Sequence, residues 1–87
     1  MQSNGTDPAI TSREEDYLKT IYVLAHGQDT PVAPGLLVEP LGVSSAAVSR
    51  MTKRLDEQGL VRRTAYQGVS LTEAGRRLYD EVRQGFQ

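Results

Sequence analysis

Five basic residues, Arg50, Lys53, Arg54, Arg62 and Arg63, fall between residues 44 and 63, against only Asp56 and Glu57. Groups of this kind hold phosphate oxygens. An arginine can also donate two parallel hydrogen bonds to the edge of a guanine. The residues just before them are small, "SSAAVS" from Ser44 to Ser49. Small side chains let a helix N-terminus approach a duplex closely, with its free N–H groups and positive dipole end toward phosphate. At helical spacing Ala46, Arg50 and Lys53 share one face, with Ser49 and Arg54 flanking, while Val48, Met51, Thr52 and Leu55 share the opposite face. Arg50 is the candidate base reader, and Ala46 or Ala47 the candidate contact to a thymine methyl. Ser49, Lys53 and Arg54 suit phosphates, and Arg62, Arg63, Tyr66 and Gln67 suit the neighbouring backbone. The competing reading is an ordinary solvated helix with a basic face.

The remaining charge sharpens the choice. Residues 1–43 carry two basic residues against six acidic ones, residues 64–87 balance, and the whole chain stands at −1. Such a chain does not coat nucleic acid indiscriminately, but its one basic segment can still attract phosphate. There is no cysteine, which excludes disulfides and thiolate zinc sites. The single histidine, His26, has no partner at metal-ligand or triad spacing and reads as a cation in a C-terminal helical turn or a surface residue. With no glycine-rich phosphate loop, and with Glu14, Glu15 and Asp16 crowded into one segment, the chain does not read as an enzyme. No apolar run approaches the roughly 20 residues that cross a bilayer. The start, "MQSNGTDPAI", lacks the features of a signal peptide. These points imply a cytoplasmic protein without a membrane partner, and a disordered lead-in over residues 1–10.

The elements that position the basic residues follow from local signals. Eighty-seven residues with 38% apolar content form one small domain with a modest core. Thr11 or Ser12 starts a helix, since each has a glutamate three residues on, the capping-box spacing. Tyr17, Leu18, Ile21, Tyr22 and Ala25 face the core, and Gly27 ends the helix before the loop "GQDTP". Pro34 suits the first position of a second helix, with Leu36, Leu37 and Leu41 inward, kept short or distorted by Pro40. After a turn at Gly42 and Val43, Ser44 or Ser45 caps the third helix, which closes at Gly59. Leu60–Thr64 and Val69–Leu71 form two strands, with Gly68 serving the turn. Thr72 caps a last helix with Leu78 and Val82 inward. The expected fold is mainly α with a small β-hairpin, a winged helix-turn-helix over residues 11–87.

Three stretches carry a family likeness: "EDYLKTIYVL" (Glu15 to Leu24), "LGVSSAAVSRMTKRLDEQGLV" (Leu41 to Val61) and "AYQGVSLTEAGRR" (Ala65 to Arg77). Together they resemble the N-terminal DNA-binding domain of the diphtheria toxin repressor and manganese transport regulator family. The resemblance implies a dimeric repressor, loaded with manganese or ferrous iron, that binds palindromic double-stranded DNA operators of metal-homeostasis genes. It also implies a second, dimerising domain that supplies most metal ligands and is absent from this chain. Asp16 matches the family's metal-ligand position on the first helix. Lys19 stands where the manganese branch has a second carboxylate, and Phe86 where a ligand histidine is expected. No metal is therefore expected in this stretch alone. The last two stretches are shared in style with multiple-antibiotic-resistance repressors, which leaves a small-molecule sensor, or a winged helix used for protein contact, as the alternatives.

Overall fold

The computed structural model describes residues 11–84; the lead-in over residues 1–10 and Phe86 lie outside them. Helix α1 spans Ser12–Leu24. Of the two expected caps, Thr11 is the one used: its hydroxyl accepts from the Glu14 amide at 3.2 Å, and Glu14 Oε1 accepts from the Thr11 amide at 2.8 Å. Glu14, Tyr17, Leu18 and Ile21 are buried at the i, i+3, i+4, i+7 spacing of one helical face. The helix ends at Leu24, before Gly27, because His26 already takes a left-handed backbone conformation, as does Gly27.

The second helical segment is split. A 3₁₀ turn over Pro34–Leu37 leads into one α-helical turn, α2, over Val38–Leu41. Pro40 has no N–H for the Leu36 carbonyl, so a continuous helix has no bond to close there. The tighter 3₁₀ winding also changes which residues face inward. Leu37 is fully buried, but Leu36 is exposed, contrary to its expected inward placement. Gly42 then turns the chain in the left-handed region.

Helix α3 spans Ser45–Glu57, capped by Ser44, whose hydroxyl accepts from the Ala47 amide at 3.1 Å. Val48, Thr52 and Leu55 are buried and Met51 packs against them, as the periodicity predicts. The Thr52 hydroxyl is satisfied inside the core by donating to the Val48 carbonyl at 2.8 Å.

Strands β1 (Val61–Thr64) and β2 (Gly68–Leu71) pair antiparallel, with Val61 opposite Leu71 and Thr64 opposite Gly68. The connecting loop takes positive φ at Tyr66, and Gly68, which begins β2, takes positive φ as well, as a glycine serving the turn can. A pairing outside the hairpin was not expected from the sequence. Val32 bridges Val69 through two backbone hydrogen bonds of 2.7 and 2.9 Å, so the residue just after the expected loop pairs with β2. The close approach requires a glycine next door, since a Cβ on Gly68 would collide with the Val32 carbonyl.

Helix α4 spans Glu73–Gln84, with the Thr72 hydroxyl accepting from the Gly75 amide at 3.1 Å. The same hydroxyl donates to the Gly59 carbonyl at 2.6 Å, and the Thr72 amide donates to the Leu60 carbonyl. Gly75 lies directly against that Leu60 carbonyl. The end of α3, the start of β1 and the start of α4 are thus clasped at one point. Tyr22 of α1 and Tyr79 of α4 stack with ring centroids 4.9 Å apart, and Leu78 and Tyr79 pack onto the core. Val82 is half-buried. The result is the expected helix-turn-helix followed by a hairpin wing.

Candidate nucleic-acid interface

Helix α3 turns its basic side outward because its apolar stripe is fixed in the core. Ser44, Ser45, Ala46, Ser49, Arg50, Lys53 and Arg54 are exposed, and Ala47 is half-buried. One helix face therefore presents small residues at its start and two cations in its middle, at a width that fits a major groove.

The flanks of this face differ. On the wing side an open groove is lined by Ser45, Ser49, Arg63, Tyr66 and Gln67, among others. Tyr66 stands fully exposed at the tip of the wing. Arg63 lies 3.7 Å from Asp56, a loose surface pair that leaves its charge available. On the α1 side a cleft is lined by Arg13, Tyr17, Ala47, Arg50, Met51 and Arg54. Burial pushes the Tyr17 phenol above its ordinary pKa, against the opposing pull of the Arg13 and Arg50 guanidiniums.

Two expected contacts are placed differently from the rest. Arg62 and Arg63 are neighbours on a strand, so their side chains leave opposite faces. Arg62 lines a separate cleft with Asp29, Arg76 and Arg77 and does not join the groove beside α3. Arg54 is not a free cation. Its Nε lies 3.0 Å from Oε2 of Glu14, whose side chain is 1% exposed while that of Arg54 is 61% exposed. The guanidinium sits off the hydrogen-bonding axis of that oxygen, so the contact is an ion pair rather than an aligned hydrogen bond.

Sequence reasoning missed Arg13 and the burial of Glu14. Arg13 was hidden by the acidic residues beside it in sequence. Glu14 was legible as a cap, but not as the partner of a residue forty positions away.

The metal question is separate. Asp16 is exposed on α1, and so is Lys19. Among the described residues no three histidine, cysteine, aspartate or glutamate side chains come together to hold an ion. One carboxylate does not make an octahedral site for manganese or iron, so these residues alone do not fit the metal the family resemblance implies. No helix among them is long and apolar enough to cross a membrane.

Comparison with known proteins agrees with this architecture. A helix-turn-helix-type transcriptional regulator of Methanocaldococcus jannaschii is 36% identical over 61 residues, covering 70% of this chain and 49% of that protein. The structure of a transcriptional regulator of Thermotoga maritima superposes with a TM-score of 0.71 at 31% identity, over 86% of this chain and 53% of that one. Lactococcus lactis ZitR shares the fold, with a TM-score of 0.69 at 23% identity over 97% of this chain and 57% of that one. The chain thus spans about half the length of the relatives it matches. Residues 9–69 match the family described as "Iron dependent repressor, N-terminal DNA binding domain", a family of transcriptional regulators rather than enzymes. With the wing and the outward basic face of α3 in place, the chain belongs to that family.

Proposed function

We propose that this domain docks α3 in the major groove of an operator and serves a metal-responsive transcriptional repressor. The observation that carries the reading is the outward face of Ala46, Arg50 and Lys53, capped by small residues and flanked by a wing with an exposed tip. Arg50 reads a guanine edge, Lys53 holds phosphate, and Arg63 with Tyr66 and Gln67 holds the backbone beside the wing. Two copies bound as a homodimer would match a palindromic operator, since paired half-sites raise avidity by orders of magnitude.

The roles of Arg50 and Lys53 separate in a binding assay on operator and random duplexes. Arg50→Ala should cost roughly 1–3 kcal/mol on the operator and relax preference at one base position. Lys53→Ala should weaken binding to every duplex alike and flatten the salt slope by about one. Equal effects of both variants on both duplexes would remove the assignment.

The metal response, to manganese or ferrous iron, must draw on ligands besides Asp16. Titration calorimetry of either ion into the 87-residue chain should show no stoichiometric binding. In a dimeric repressor carrying this domain, metal should raise operator affinity, and Asp16→Ala should blunt the rise without unfolding the domain. Tight stoichiometric binding to the 87-residue chain would show that the ligand set has been misplaced.

A further inference from the structure

We propose that the cleft between the start of α1 and α3 seats one DNA backbone phosphate, held by Arg13 and Arg54 with Arg50 at its rim. The proposal rests on the DNA-binding reading above and adds a contact on the side of α3 away from the wing.

The cleft brings three guanidiniums together from two helices: Arg13 from the first turn of α1, and Arg50 and Arg54 from α3. Among the described residues no carboxylate lines it, and neither Arg13 nor Arg50 has an ion-pair partner. Glu14 balances only Arg54, from beneath. A net positive cleft remains, open to solvent and lying beside the helix face that enters the groove.

The Glu14 contact also prepares Arg54 for this use. It engages Nε and leaves the Nη groups of a largely exposed side chain for a second anion. A guanidinium already drawn to one place by a carboxylate loses less rotamer freedom when a phosphate arrives. Tyr17, itself buried in the core, forms part of the cleft wall between these arginines.

The other arginine cluster lacks this character. Arg62, Arg76 and Arg77 share their cleft with Asp29, Glu73 and Asp80, and Arg76 and Arg77 are already paired with Asp29 and Glu73. That cleft neutralises itself, whereas the one beside Arg13 does not. With the wing on the other flank, α3 then has a backbone anchor on each side, which suits a helix lying between the two strands bordering a groove.

The test is fluorescence anisotropy with a labelled duplex of mixed sequence, titrated with salt. Because Arg13 is exposed, Arg13→Ala should leave the melting temperature unchanged. It should weaken binding roughly fivefold at low salt and reduce the salt slope by about one. Arg13→Lys, which keeps the charge, should retain the slope. A wild-type slope for Arg13→Ala, alongside a reduced slope for Lys53→Ala, would overturn the phosphate seat while DNA binding stands. Absence of salt-dependent binding by the unsubstituted chain would overturn both readings.

Discussion

Gly75→Ala should destabilise the domain by about 3 kcal/mol, more than an alanine gains in an exposed helix. The new methyl would be driven into the Leu60 carbonyl, which is backbone and cannot swing aside as a side chain can. That carbonyl also accepts from the Thr72 amide, and the Thr72 hydroxyl ties α4 to Gly59. Moving it would loosen the clasp joining α3, β1 and α4 together. For a domain of this size the change corresponds to roughly 12–24 °C in melting temperature. Gly35→Ala is the control. Nothing lies within 4 Å of a Cβ placed there, so that variant should melt at or slightly above the wild-type temperature. If Gly75→Ala melted like Gly35→Ala, the close approach of α4 to Leu60 would be wrong.

Arg54→Ala should destabilise the fold by about 2 kcal/mol, although Arg54 is largely exposed. The loss comes from the partner: Glu14 stays buried, with Oε1 committed to the Thr11 amide and Oε2 deprived of its neighbouring cation. The figure lies below that for a fully enclosed pair because water reaches the arginine side. Adding Glu14→Gln to Arg54→Ala should recover part of the loss. A neutral amide is cheaper to bury than a lone carboxylate, and it can still accept from Thr11. Thermal melts of the two single variants and the double variant form a cycle in which the changes do not add. Strict additivity would mean that the pair contributes nothing to stability.

The sequence was most legible where structure is set by near neighbours. Thr11 with Glu14, Ser44 with Ala47 and Thr72 with Gly75 are caps closed within three residues; Thr72 was read outright, and the others were narrowed to Thr11 or Ser12 and Ser44 or Ser45. The inner face of α3 was equally open, because Val48, Thr52 and Leu55 repeat at helical spacing. What escaped depends on distance or on a single residue. Val32 forms one rung of a sheet, and one residue shows no alternation. Leu36 was assigned by α-helical periodicity in a segment that winds as 3₁₀. Gly68 serves the turn with positive φ, but Tyr66 also takes a left-handed conformation, which nothing in its residue type announces. In the interface, the outward face of α3 was plain, whereas the cleft beside it needs Arg13 brought across from another helix.

The rung at Val32 has a consequence for self-association. A two-stranded hairpin offers unpaired backbone groups along both outer edges, which can template cross-chain strand pairing and aggregation. In this domain, Val69 on the β2 edge already exchanges both of its backbone bonds with Val32. The β1 edge carries Arg62 and Arg63 side by side, and the tip between the strands is twisted by a left-handed tyrosine. Two charged side chains on a four-residue strand make a poor template for another chain. The wing can therefore project into solvent without recruiting the wings of other molecules.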